Sequence, residues 1–188
     1  MEEEKVVQSV QNWVESCVVG LNLCPFAKAE LIKARVRFSA TELKTEEGLL
    51  QQLRYELQLL DSDDAIETTL LIHPAVLTNF YDYNQFLGQA ENLLVELGME
   101  GVYQIASFHP DYQFAGTQRE GAENYTNRSP YPILHILREQ SLMRVLENYP
   151  NPELIPERNI ELLLGLGNNK MKAMLKDCFK TNSENEGG

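Results

Sequence analysis

The 188-residue chain contains no stretch approaching the ~18 consecutive apolar residues of a membrane span. Its start, Met-Glu-Glu-Glu-Lys, has neither the basic flank nor the apolar centre of a secretory leader. The expected location is therefore the cytoplasm. Cysteine is scarce: Cys17, Cys24 and Cys178 are odd in number and form no CxxC, which excludes a disulfide framework or a zinc ribbon and fits reduced thiols. Histidine is scarcer in usable spacing, since His73, His109 and His135 follow no recognised metal-ligand pattern, and no metal is assigned. Basic charge is also in deficit. Sixteen Lys and Arg against 28 Asp and Glu leave a formal net charge of −12, which repels phosphate backbones and anionic lipid heads. Nucleic acid and membrane are excluded as broad partners, leaving small molecules or proteins; the oligomeric state stays open. Internal repeats and interdomain linkers are absent as well, so residues 1–180 are expected to form one domain and the polar stretch 181–188 a disordered tail.

What is present is ordinary globular material, 43% hydrophobic and 23% charged, with clear periodicity. Val6, Val10, Trp13, Val14 and Cys17 recur at helical spacing behind three glutamates, predicting a helix over 4–20. Val36, Phe38 and Ala40 alternate with Arg35, Arg37 and Ser39 as in a half-exposed strand. Thr45 caps a helix carrying Leu49, Leu53, Leu57 and Leu60. Residues 66–72 read as a strand covered on both faces, and 102–108 as another. Between them Asp82 and Gln85 resemble a capping box ahead of a helix that stops at Gly98. Later periodicity predicts helices near 132–148, 156–166 and 168–179.

This alternation predicts an α/β fold: a short, mainly parallel sheet of three or slightly more strands packed with helices, and a helical C-terminal third. An α+β arrangement with a mixed sheet is the alternative. In the parallel case the second and third strands end on one sheet edge, where open α/β folds bind ligands, and His73 and His109 become neighbours there.

The segment from His109 to Pro132 has neither helical nor strand period, and ordered loops of such length are usually functional. Tyr112, Phe114, Tyr125 and Tyr131 give it aromatic surface, while Asp111, Arg119, Asn124, Asn127 and Arg128 give it polar groups. Asn127-Arg128-Ser129-Pro130 precedes the predicted 132–148 helix, with Ser129 suited to its cap and Pro130 to its first turn. Free amides at a helix start beside the Arg128 guanidinium favour phosphate or carboxylate, and Arg138 adds charge from the helix. A plain capped helix with solvated arginines is the competing interpretation. His109 and His73 are candidates for acid or base chemistry near neutral pH; His135, flanked by Leu134 and Ile136, is the weakest of the three.

Cys24 stands before a predicted short helix, where a helix dipole would stabilise thiolate, and so is a candidate nucleophile. Cys24-Pro25-Phe26-Ala27 resembles the active cysteine segment of omega-class glutathione transferases, although their thioredoxin-like fold places the cysteine after a strand and here a helix precedes it. Cys17 and Cys178 lie on apolar helical faces and read as structural.

Leu21-Asn22-Leu23-Cys24-Pro25-Phe26, Phe108-His109-Pro110, Phe114-Ala115-Gly116-Thr117 and Thr126-Asn127-Arg128-Ser129-Pro130-Tyr131-Pro132 together resemble a bacterial family catalogued only as a domain of unknown function. That resemblance spans the whole chain and implies neither an activity nor a cofactor. From the residues alone, the leading expectation is a hydrolase or transferase acting on a small anion. In it, His109, His73 and Cys24 supply the chemistry, and Arg128, Asn127, Ser129, Arg138, Asp111 and Tyr112 hold the substrate. A noncatalytic metabolite- or protein-binding regulatory module is the alternative, and thiol redox chemistry at Cys24 a third.

Overall fold

In a computed structural model describing residues 2–180, a four-stranded sheet runs in the order β1-β2-β4-β3. Its strands are β1 (Val36–Ala40), β2 (Thr68–Ile72), β3 (Tyr103–Phe108) and β4 (Ile133–Arg138). β1 and β2 pair parallel, while β4 pairs antiparallel with both β2 and β3. The sheet is therefore mixed. Three strands share one direction, as the βαβ reading requires, and the fourth is inserted among them against it. The expected tail, 181–188, lies outside the described residues.

The helices are α1 (Glu2–Trp13), α2 (Ala27–Ile32), α3 (Glu46–Ser62), α4 (Phe80–Glu96), α5 (Glu139–Glu147), α6 (Ile155–Leu166) and α7 (Asn168–Asp177). Thr45 caps α3 by accepting the Gly48 N–H at 3.2 Å. The cap of α4 is Asn79, which accepts from Tyr81 and Asp82, rather than the capping box expected at Asp82.

One expected element is of the wrong kind at its start. Residues 133–138 form β4, and the helix begins only at Glu139. The run Ile133-Leu134-His135-Ile136-Leu137 has apolar residues at helical spacing, but a central strand covered on both faces is apolar on both faces too. Periodicity cannot separate the two over so short a run, and the β-branched Ile133 and Ile136 were the better guide.

Alternation along the strands builds two layers. Leu71, Leu134 and Ile136 face α3 and α4, where Leu49, Leu53, Leu57, Tyr83, Phe86 and Leu93 close the larger core. Leu70, Ile72 and Ile133 face the opposite way, toward Val6, Val10, Trp13 and Val14 of the first helical segment. β1 is the half-exposed strand expected, at the edge of the sheet with only Ser39 buried, and its Arg37 and Ser39 turn toward α3 and hydrogen-bond the fully buried Glu56 at 2.8 and 2.6 Å. Burial opposes ionisation of Glu56, but the hydrogen bonds from Arg37, Ser39 and Gln52 and the Arg37 charge outweigh it, leaving the carboxyl below its ordinary range.

α1 does not stop at Trp13. It widens into a π-helical stretch, Val14–Val19, closed by the Gly20 N–H donating to Glu15 O at 2.9 Å. A Cβ on Gly20 would stand 2.2 Å from the Ser16 carbonyl oxygen, so this close approach of backbone to backbone requires glycine.

Candidate functional site

Two places in the molecule hold the chemistry-bearing residues. The first is the carboxyl edge of the sheet. Ile72 and Phe108 both lie opposite Ile133 in register, so His73 and His109 leave the sheet side by side with the start of β4 between them. Tyr83 of α4 fills the gap: its hydroxyl donates to Ile133 O at 2.7 Å and accepts from the Phe108 N–H at 3.1 Å. His73 stacks on the Tyr83 ring at 5.9 Å, and His109 tilts against it at 5.1 Å.

Both imidazoles are fully buried and tied to backbone. His73 donates through Nδ1 to Val76 O at 2.9 Å, leaving Nε2 buried without a hydrogen-bond partner among the described residues. His109 donates through Nε2 to Leu77 O at 3.2 Å and accepts the Asp111 N–H on Nδ1 at 3.0 Å. Burial lowers both ring pKa values, that of His73 to about 4, so each ring is neutral near pH 7. His109 has both nitrogens occupied; His73 keeps one lone pair.

The loop after His109 is closed on itself. Asn124, fully buried, accepts from the Phe114 N–H and the Thr117 hydroxyl and donates to Gln118 O. Asn127 donates to Ser107 O at 2.9 Å, and Ser129 to Tyr131 O at 2.6 Å. Because β4 replaces the expected helix start, Ser129 caps nothing and no row of free amides stands beside Arg128. The Arg128 guanidinium is 4.8 Å above the Tyr125 ring and donates to Tyr112 O and Arg119 O, pinning the loop. Arg138 turns the other way, to Leu60 O, Asp63 O and Ile66 O, where its charge meets the carbonyl end of α3. Tyr112 packs at 5.0 Å from both Phe80 and Phe114, and Asp111 makes an exposed ion pair with Arg119 at 3.7 Å. The structure thus gathers His73, His109, Asn127, Arg128, Ser129 and Tyr112 around one edge, and leaves Arg138 and Cys24 elsewhere.

The second place is empty space. A cavity of about 190 Å3 lies between the sheet and the helical layer of α1, its π-helical extension and α2, with Leu142 of α5 at one side. Its floor is a cross-strand row, Leu70, His135 and Ala106, in register across β2, β4 and β3. Trp13, Val14, Val18 and Phe26 form its roof. Trp13 meets Phe108 edge-on at 5.2 Å, and Phe108 lies 6.0 Å from the His135 ring.

Four polar side chains reach this wall: His135, Thr68, Cys24 and Glu30. The Thr68 hydroxyl donates to Ile136 O at 2.6 Å, so at 2.8 Å it accepts from His135 Nε2–H, which makes Nδ1 the acceptor nitrogen of a neutral ring. Burial takes the His135 pKa to about 4. Burial also raises the Cys24 thiol, against the smaller lowering effect of the Phe26 and Ala27 amides, so Cys24 is protonated at neutral pH. Glu30 is buried and paired with Lys33 at 3.0 Å and Arg35 at 3.6 Å.

His135 is the weakest of the three histidines on sequence, and only strand register places it in a cavity wall. Among the described residues no group of three or more His, Cys, Asp or Glu side chains is arranged to hold a metal ion. No helix among them is long and apolar enough to cross a membrane.

A mixed four-stranded α/β sheet carrying a hydrogen-bonded polar edge and an apolar cavity under its helical layer defines the class of protein. Residues 5–173 match the profile of one family, and the chain belongs to it: the family described as "Protein of unknown function (DUF1415)". No curated protein and no solved structure matches the chain.

Proposed function

We propose that the protein is a small-molecule-binding module whose ligand occupies the cavity between the π-helical roof and the Leu70–His135–Ala106 row. The cavity itself carries this reading. Ligand sites are concave and mostly apolar, with few polar groups to fix orientation, and here His135 and Cys24 are such groups. A dry engineered cavity of roughly 150 Å3 accepts benzene. Space of about 190 Å3 therefore suits one aromatic ring or a small fused pair, with a donor group to meet the His135 acceptor nitrogen. π-helical turns concentrate at functional sites, and this one forms the roof.

Hydrolysis or transfer on an anion at the carboxyl edge is the lesser reading. It needs Arg128 to leave two carbonyls and His109 to give up both nitrogens' partners. Redox chemistry at Cys24 is disfavoured by the raised thiol pKa.

The test is an NMR titration with indole, read at the amides of Ala106, His135 and Val18, in the wild type and in Ala106→Leu. Saturable shifts in the wild type that vanish in the variant are expected. Indole shifts that persist unchanged in Ala106→Leu would remove the cavity from consideration. Phosphate-induced shifts confined to Arg128 and His109 would favour the anion reading instead.

A further inference from the structure

We propose that Cys17 and Cys178 are a two-thiol redox site, joined reversibly into a disulfide by a peroxide. Both were expected to be structural, since each sits on an apolar helical face. The fold brings them together at one point, where the π-helical stretch meets the end of α7. Ser16 Oγ lies 3.7 Å from the sulfur of each, so one hydroxyl stands between the two thiols. The backbone there is pinned, because Asn12 Nδ2 donates to Cys178 O at 3.0 Å and to Lys180 O at 3.3 Å. Cys24, the third thiol, lies in the sheet-facing cavity.

The proton inventory assigns the roles. Ser16 donates to Asn12 O at 2.6 Å and Cys178 to Met174 O at 3.2 Å, so in the resting state the Ser16 oxygen is the acceptor that faces Cys17. The closeness of the two thiols lowers the Cys178 pKa and, with burial, raises that of Cys17. Cys178, which alone of the pair borders the adjoining cavity, is thus the attacking sulfur and Cys17 the resolving one. A cavity of about 540 Å3, bordered by Ser16, Met174, Asp177 and Cys178, gives a peroxide-sized reagent room to approach.

In the first step the Cys178 thiolate attacks one peroxide oxygen. An S–O bond forms, the O–O bond breaks, and the hydroxide released takes a proton to leave as water. In the second, the Cys17 sulfur attacks the Cys178 sulfenic sulfur: S–S forms, S–O breaks, and the thiol proton leaves with the second water. Two electrons pass from the thiol pair to the peroxide. A reducing dithiol reverses the change.

The decisive measurement uses the full chain carrying Cys24→Ser, which removes the third thiol. After hydrogen peroxide, intact mass should fall by two hydrogens, both thiols should become inert to alkylation until dithiothreitol is added, and one peptide should link Cys17 to Cys178. The closed form should melt roughly 5–15 °C higher than the reduced form. With Cys17→Ser added, Cys178 should instead gain oxygen. Two thiols that remain free, oxygen adducts on the chain that keeps both cysteines, or crosslinks only between chains would each overturn the proposal. If Cys17→Ser fails to fold, peptide mapping of the Cys24→Ser chain alone decides the matter.

Discussion

Around His73, His109 and the loop that follows, polar residues are many and bonded to one another's backbone; under the π-helical roof, space is present and polar residues are few. His109, Asn124, Asn127, Arg128 and Ser129 spend their hydrogen bonds on backbone that has no regular partner, because a long loop buried against a sheet edge must satisfy every amide and carbonyl it covers. Polar convergence there is explained by architecture. The cavity has no such need, since its walls are strands and helices whose backbone bonds are already made, and the unfilled volume has no structural purpose of its own. A cluster of reactive residue types thus points to a site only after the backbone's own demand is subtracted.

The largest expected effect comes from acid, and both regions contribute. His73 at the edge and His135 in the cavity each have a ring pKa of about 4 against an ordinary 6.5, with burial the leading cause. Above pH 6.5 neither ring is protonated in either state, and neither contributes. Between 6.5 and 4 the unfolded chain binds protons that the native protein refuses, so stability falls as pH falls. Each ring should cost about 3 kcal/mol by pH 4. Glu56, with its carboxyl depressed, adds a loss that begins only below the ordinary carboxyl range. Urea midpoints at pH 7.5, 6 and 5 should fall steadily, and ring NMR titrations assign the loss. A His135 that titrates near 6.5 in the folded protein would mean a wet cavity and erase the contrast between the two regions.

Next in size, Asn124→Ala should cost about 2–4 kcal/mol. It strands the Phe114 amide and removes two further bonds of the closed loop, while the Thr117 hydroxyl keeps Phe114 O and the Gln118 carbonyl keeps the Gly121 amide. Chemical denaturation measures the loss, and limited proteolysis should show cutting between His109 and Pro132. Indole binding in the cavity should be unaffected under native conditions. If it falls in step with loop cleavage, the edge and the cavity are one coupled unit.

Much of this was legible in advance, and the failures have physical causes. α3, α4, β2 and β3 follow from caps, periodicity and unbroken apolar runs, and the shared edge of His73 and His109 follows from the parallel strands. The inserted β4 did not, because a strand buried on both faces loses the period-2 signature. That single misreading carried others with it. It created a helix start at Ser129, lent Arg128 a row of amides, and hid His135 inside a supposed helix. The meeting of Cys17 with Cys178 is a contact between the two ends of the chain, and nothing local in either helix announces it.

The smallest expected effect on stability is the sharpest on the comparison. Ala106 lies directly across from His135 in the β3–β4 register and borders the cavity, so Ala106→Leu adds three carbons where no atom now stands. Overpacking a filled core costs about 1–3 kcal/mol, whereas burying methylenes in empty space gains about 0.8 kcal/mol each before strain and side-chain entropy are subtracted. The expected net is a gain of no more than about 1 kcal/mol in the urea midpoint, together with loss of indole binding. An equal substitution at the crowded edge, Ser129→Leu, meets a fully buried residue bonded to Tyr131 O and should destabilise by several-fold more than the cavity variant stabilises. Opposite signs for the two changes would follow from one region being full and the other empty. The same sign for both would mean that the cavity collapses in solution, and the binding reading would lose the observation that carries it.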